Sequence, residues 1–188
     1  MKEAQYTPSH IANYFLACAS DESIDITPLK LMKLVYFAYA WYLYLTNGEE
    51  LFSEEIQAWK HGPVIPSLYH EFKHFGLHGK IKNTYATYID LDNEKNLTLQ
   101  RPTIEAHILE SDDNLNAGIC GVWFYYKNKT GDELESISHH KDSVWTEYYE
   151  SGKNVQLNDT QEKRDMIQKR SCIAYKQAEE VLNGVSVD

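Results

Sequence analysis

Cysteine is scarce in this chain. The three residues, Cys18, Cys120 and Cys172, are widely spaced, odd in number and never form a CxxC pair. That excludes a disulfide-stapled framework and fits a reducing cytoplasm, where such cysteines serve as small buried or half-buried residues. The opening Met1–Tyr6 has no apolar stretch, so no signal peptide is expected. The Asn-x-Thr sequons at Asn96, Asn128 and Asn158 then carry no glycosylation meaning. Long hydrophobic runs are also missing: the longest, Leu34 to Leu45, falls well short of the roughly 20 residues that span a bilayer. No GxxxxGK[ST] or GxGxxG loop is present to cradle phosphates, and no GxSxG elbow to hold a nucleophile. No cofactor is implied.

Positive charge is the last shortage. Eighteen basic residues face 28 acidic ones, for a net charge of −10. A phosphate backbone repels such a chain unless its cations are segregated, which argues against nucleic acid and for a basic protein partner. Solubility alone also accounts for the acidity.

What is present is apolar bulk and tyrosine. Hydrophobic residues make up 43% of the 188, enough for a full core without staples, and there are 14 tyrosines. A tyrosine buries a large ring while its hydroxyl still needs a partner, which suits a semi-wet core or a contact surface. The length fits one domain over 1–188, with a core of about 6–150, a β-like insert at about 81–102 and a C-terminal helix at about 160–183.

Two helix starts share one device. Thr7-Pro8 and Thr27-Pro28 each place a hydroxyl N-cap before a proline at the first helical position, where the missing N–H costs nothing. Apolar pairs Tyr6/Ile11 and Ile26/Leu31 have hydrophobic-staple spacing. The first helix is expected to end near Ala19, burying Ile11, Tyr14, Phe15 and Cys18. The second is apolar on every side after Leu34 and should sit centrally, stopped at Asn47-Gly48. Lys30 and Lys33 interrupt it and are expected to reach a surface. Ile56–Trp59 reads as a short strand in a hairpin or at an edge, and Pro63 and Pro66 lead into a helix from Ser67 to Phe75, ended by Gly76.

Tyr85–Ile89 and Leu97–Leu99 flank a polar stretch as a β-hairpin. A further helix is expected at Asn114–Lys127, although Gly118 and Gly121 each weaken it by about 1 kcal/mol. Thr130 and Glu133 form a capping-box pattern, and Asp142-Ser143 cap a short helix led by Trp145. The last helix carries Met166, Ile167, Ile173, Ala174 and Val181 as its apolar stripe and stops at Gly184. The fold class is therefore mainly α (α+β): a multi-helix domain around a central hydrophobic helix, with a small antiparallel β element.

Two motifs bear on chemistry. His70-Glu71-Phe72-Lys73-His74 matches HExxH, in which two histidines one turn apart grip zinc while the glutamate activates water. The pattern is weak evidence in a chain with 8 histidines. Its helix is short, and Leu77 and Lys80 stand where the extended metzincin form needs Gly and His. Zinc-dependent hydrolysis is kept as an alternative to a histidine-decorated surface helix. His139-His140 beside Asp142 offers an acid–base pair, set against a histidine that fixes a helix end or packs on Trp145.

Three segments carry a family resemblance. Thr27–Ala38 (TPLKLMKLVYFA) resembles the TPLKLQKLLYYA opening of the Panacea domain, also called SocA-like or GepA-like and phage-associated. Ile56–Tyr69 (IQAWKHGPVIPSLY) resembles its EAWKYGPVVPSLY segment, and Leu134–Trp145 (LESISHHKDSVW) is similar to LSELTHEEGSPW. The blocks keep the family's order and cover about Tyr6 to Trp145. His61 stands where tyrosine is common, Ser138 replaces threonine and Val144 replaces proline.

The resemblance implies a mostly helical fold and an antitoxin-like function. The protein would be cytoplasmic, bacterial or phage- or prophage-encoded, not an enzyme, and would neutralise a co-encoded toxin by direct contact. The alternative is an adapter that delivers the toxin to a protease. Within the motifs, Thr27, Pro28, Trp59, Gly62, Pro63 and Trp145 are assigned to the scaffold. Lys30, Lys33, Lys60, His61 and His139 are the polar candidates for partner contact.

Overall fold

A computed structural model describes residues 6–82, 84–91 and 95–182. The two Thr-Pro starts open the first two helices, α1 (Pro8–Asp21) and α2 (Pro28–Leu45). At α2 the Thr27 hydroxyl accepts a hydrogen bond from Lys30 N at 3.2 Å, and the Leu77 carbonyl satisfies the next free amide, Leu29 N, at 3.3 Å. α2 ends at Thr46, after which Asn47 and Gly48 take positive φ and Gly48 N bonds back to Leu43 O.

α2 is the axis of the molecule. Its residues from Pro28 to Trp41 are all buried, and α1, α5 (Asp113–Tyr126), α6 (Gly131–Ser138) and α8 (Gln161–Leu182) pack round it. Short strands β1 (Gln57–Trp59) and β2 (Gly62–Val64) pair antiparallel, with Trp59 opposite Gly62 and Ala58 opposite Pro63. Next come α3 (Pro66–Phe72), a 3-10 turn (Lys73–Phe75) ended by Gly76 at φ +72°, and the hairpin β3 (Tyr88–Leu91) with β4 (Leu97–Gln100). The remaining helices are α4 (Ala106–Ser111), α5 (Asp113–Tyr126), α6 (Gly131–Ser138), α7 (Val144–Tyr148) and α8 (Gln161–Leu182). β5 (Val155–Gln156) joins the other side of β1, giving a three-stranded sheet in the order β2-β1-β5. The mainly helical class read from the sequence is the class observed.

Aromatic packing explains why α5 tolerates its glycines. Phe37 stacks on Tyr126 at 4.9 Å, and Trp41 lies between Tyr126 and Tyr175 of α8. A Cβ at Gly121 would sit 3.0 Å from the Trp41 ring, and one at Gly118 only 3.6 Å from the α2 backbone at Tyr42. What the glycines lose in helix propensity allows α5 to close on α2. The Tyr39 hydroxyl donates to Glu50 Oε1 at 2.8 Å and the Tyr14 hydroxyl pairs with Cys120 Sγ at 2.9 Å, as suits a ring-plus-hydroxyl side chain.

Several boundaries differ from the sequence expectations. α1 runs on to Asp21, and Tyr14 and Cys18 are only half-buried while Ala12, Asn13 and Leu16 are inside. The helix through His70 stops at Phe72, and the chain tightens into the 3-10 turn. α4 and β5 carry no clear periodic signal and were not anticipated. α8 is rotated relative to its expected stripe: Ile167, Ser171 and Ala178 face inward, while Ile173 and Val181 stay 45% and 54% exposed. The rotation follows from anchors at its start, where Lys163 Nζ donates to Gln156 O at 2.6 Å and Asp159 Oδ1 at 2.8 Å. Gly184 and the polar centre of the β3–β4 hairpin lie outside the described residues.

One buried side chain ties the 81–102 segment to the helices. Asn13 on α1 is 2% exposed. Its amide nitrogen donates to Ala86 O (2.9 Å) and Pro102 O (2.8 Å), and its oxygen accepts from Ala86 N (2.7 Å). Both ends of the hairpin segment therefore hang on one amide. Asn13→Ala leaves these backbone groups unsatisfied. The expected outcome in urea unfolding is a loss of about 3 kcal/mol, with limited proteolysis opening first between residues 81 and 102.

Candidate functional site

The three sequence blocks meet at one buried polar joint. Lys33, from the middle of the apolar helix α2, is fully buried and donates from Nζ to Pro63 O at 3.0 Å. Gly62 makes room for it: at φ +94°, a Cβ there would fall 2.5 Å from Lys33 Nζ, 2.7 Å from Ser138 Oγ and 3.1 Å from His139 Nε2. Ser138 donates to Glu135 O at 2.7 Å, closing the last turn of α6. His139, the C-cap of α6, stacks on Trp145 with ring centroids 3.7 Å apart and planes 13° from parallel. Trp145 in turn donates from Nε1 to Trp59 O at 2.8 Å. Residues from α2, the β1–β2 hairpin and the α6–α7 segment thus close a single circuit.

Burial sets the electrostatics of this joint. Desolvation pushes the Lys33 amine down from 10.5 to about 7, against a weaker opposing pull from Glu135. His139 is also lowered, first by burial and next by Lys33, and its Nε2 is buried without a hydrogen-bond partner. The two bases lie close together, and a charge on Lys33 disfavours a proton on His139. The Lys33 amine has no exposed surface, so the joint serves as a framework under the surface above it.

That surface is a cleft of about 360 Å³. Leu29 and Met32 of α2 and Val64 of β2 contribute to its apolar lining, and Trp59 packs edge-on to Tyr69 at 4.8 Å. Lys60, His61 and Lys73 stand around it, with His61 Nδ1 held 3.2 Å from Glu135 Oε1.

The predicted contact residues are divided by this geometry. Lys60 and His61 are at the cleft and accessible. Lys30 and Lys33, expected to reach a surface, do not: Lys30 is 5% exposed and bonds Lys127 O, while Lys33 serves the joint. Helices packed all round α2 leave those positions no route outward. His139 is taken up by Trp145, so of its two readings the packed, helix-ending one describes its place. Pro28, Trp59, Gly62, Pro63 and Trp145 all belong to the joint or the cleft wall, and Thr27 caps the helix beneath them. Tyr69 and Lys73 were missed as cleft residues. The one available signal was a basic residue just before Gly76, on the turn facing Trp59.

The HExxH residues have other engagements. Glu71 Oε1 accepts from Thr87 N (2.6 Å) and Thr87 Oγ1 (3.1 Å), fastening the 81–102 segment. Because α3 ends at Phe72, His74 lies in the 3-10 turn beside the Glu71 carbonyl, while His70 points to Lys73 at 3.4 Å. Among the described residues no group of three His, Cys, Asp or Glu side chains is placed to hold a metal ion.

The buried amine gives a signed pH dependence. Between about pH 7 and 10.5 the unfolded lysine holds a proton that the folded one has lost, so stability rises with pH across that window. The slope from this group reaches about 1.4 kcal/mol per pH unit. Above pH 10 the buried tyrosines, whose ionisation burial pushes upward, reverse the trend. Urea titrations from pH 7 to 9 are expected to show rising stability in the native chain and a flattened profile in Lys33→Met.

The chain matches the antitoxin SocA-like, Panacea domain over residues 31–146, a span that includes β1, β2 and every residue of the joint. It is 29% identical over 139 residues to a protein described as antitoxin SocA from Caulobacter vibrioides (strain NA1000 / CB15N), covering 72% of this chain and 66% of that protein, just under two thirds of its length. No solved structure matches. No described helix is long and apolar enough to cross a membrane. With its motif blocks joined as they are, the chain belongs to the SocA-like antitoxin family of Panacea domains.

Proposed function

We infer that this chain neutralises a co-encoded toxin in the cytoplasm by binding it directly and masking its working surface. Family membership is the observation that carries the reading. The geometry supports it through what the motif residues are used for. Lys33, Gly62, Ser138, His139 and Trp145 are spent on holding three segments together. A rigid joint of this kind fixes the cleft and its rim before any partner arrives, so little ordering cost is left for binding.

The net charge of −10 favours a toxin whose remaining surface is basic. Such a pair associates faster at low salt and with a steep ionic-strength dependence. The histidines and glutamate of residues 70–74 play no part in this reading.

The test is co-expression with the neighbouring reading frame. That frame alone is expected to arrest growth, this chain to restore it, and the two products to co-purify. Masking leaves toxin abundance unchanged on immunoblots while growth recovers. A harmless neighbour that fails to co-purify overturns the reading. Gly62→Gln, which drives a side chain into the joint, is expected to abolish rescue and lower the melting temperature, whereas Glu71→Gln is expected to leave rescue intact.

A further inference from the structure

The cleft departs from the rest of the chain in charge. Acidic residues outnumber basic ones 28 to 18 overall, yet among the described residues no Asp or Glu lines this hollow. Three lysines do: Lys60 and Lys73 are exposed at its edge, and Lys33 lies beneath. Some lysines elsewhere are neutralised where they stand, Lys80 by Asp25, Lys127 by Glu22 and Lys163 by Asp159. Among the described residues no carboxylate lies within ion-pair distance of Lys60 or Lys73. Glu135 is engaged by His61 at 3.2 Å.

Two exposed ammonium groups with no ion-paired carboxylate among the described residues, Lys73 also lying 3.4 Å from His70 Nδ1, stand beside a hollow lined by Leu29, Met32 and Trp59 and define an occupant with two parts. One part is anionic. The other is an apolar side chain, for which 360 Å³ provides room. We propose that the cleft receives a carboxylate-tipped apolar segment of the partner protein, its C-terminal residue, with a side chain of leucine or phenylalanine size. This rests on the reading that the chain works by binding a protein.

Charge complementarity supplies the specificity. The net-acidic body disfavours such a segment on approach, so the contact with Lys60 and Lys73 that admits it to the cleft fixes its register. A partner otherwise basic would be steered by the body and locked by this one inserted anion. The carboxylate meets Lys60 and Lys73 rather than His61, because His61 already faces Glu135.

The experiment uses the full chain labelled with ¹⁵N and three probes: N-acetyl-phenylalanine, its amide, and inorganic phosphate, each to about 10 mM, enough to detect millimolar binding. The acid is expected to shift the Trp59 indole resonance in a saturable way, with the amide and phosphate at least tenfold weaker. Lys60→Glu with Lys73→Glu is expected to remove the response, and Lys60→Arg with Lys73→Arg to keep it. Both lysines are exposed, so melting curves should be unchanged. An equal response to the amide overturns the anionic part. An equal response to phosphate overturns the apolar part. Silence to all three overturns the site.

The co-encoded toxin supplies the second arm. The double Glu variant is expected to weaken its binding at least tenfold. Unchanged toxin affinity, even with the acid probe bound, overturns partner docking here and leaves the antitoxin reading standing. Failure of the toxin to bind either form sinks that reading itself, while the probe titration still judges the cleft.

Discussion

An amine buried at the centre of a helical protein is costly, and the arrangement around Lys33 is built to hold one. The side chain leaves an otherwise apolar helix and finds a single backbone acceptor, the Pro63 carbonyl, at 3.0 Å. Proline cannot donate, so β2 offers an acceptor there without a competing N–H. Gly62 must lack a side chain for the amine to arrive, since a Cβ would meet it at 2.5 Å. The remaining contacts follow from that meeting. Once β2 is pinned to α2, β1 is placed by its register, Trp59 by β1, and Trp145 by its hydrogen bond to Trp59 O. Removing the amine therefore disturbs more than one hydrogen bond, because it is the fixed point from which the cleft wall is measured.

The joint also explains why the motif residues are polar without being exposed. A lysine, a serine and a histidine within reach of one glycine would ordinarily be read as chemistry. Their burial argues for specificity of assembly: each polar group accepts only one arrangement of its neighbours, whereas an apolar filling would tolerate several. The stacked His139–Trp145–Tyr149 rings continue that logic outward, giving the α6–α7 segment one orientation.

Helix starts and the central helix were legible because their signals are local. Thr27-Pro28, the Thr130–Glu133 capping box and Ser143 each act within one turn, and each caps the helix assigned to it. The all-round apolar character of α2 correctly marked it as the axis. What could not be read depends on distant partners. The depth of Lys30 and Lys33 is decided by α5, α6 and β2, which their own neighbours in sequence do not reveal. The rotation of α8 is set by Lys163 reaching Gln156 O, and β5 exists only because β1 offers it an edge. HExxH was legible as a pattern, yet the chain breaks its helical spacing at Phe72 and commits Glu71 to Thr87.

The same distinction bears on how an acidic protein can hold a basic site. Net charge governs approach at distances near the Debye length, about 8 Å at physiological salt, and there the body's −10 dominates. At contact, only neighbouring charges and their partners matter, and among the described residues no carboxylate is ion-paired with Lys60 or Lys73. On the proposed reading, a partner selected by the far field would be basic on average, while the group that fits the cleft would be anionic. The two requirements are compatible only in a partner whose charge is unevenly distributed, which is a narrower demand than either alone. Because Lys33 ties α2 to the hairpin, the cleft wall is held in one arrangement, so its shape and charge pattern would select in the same direction.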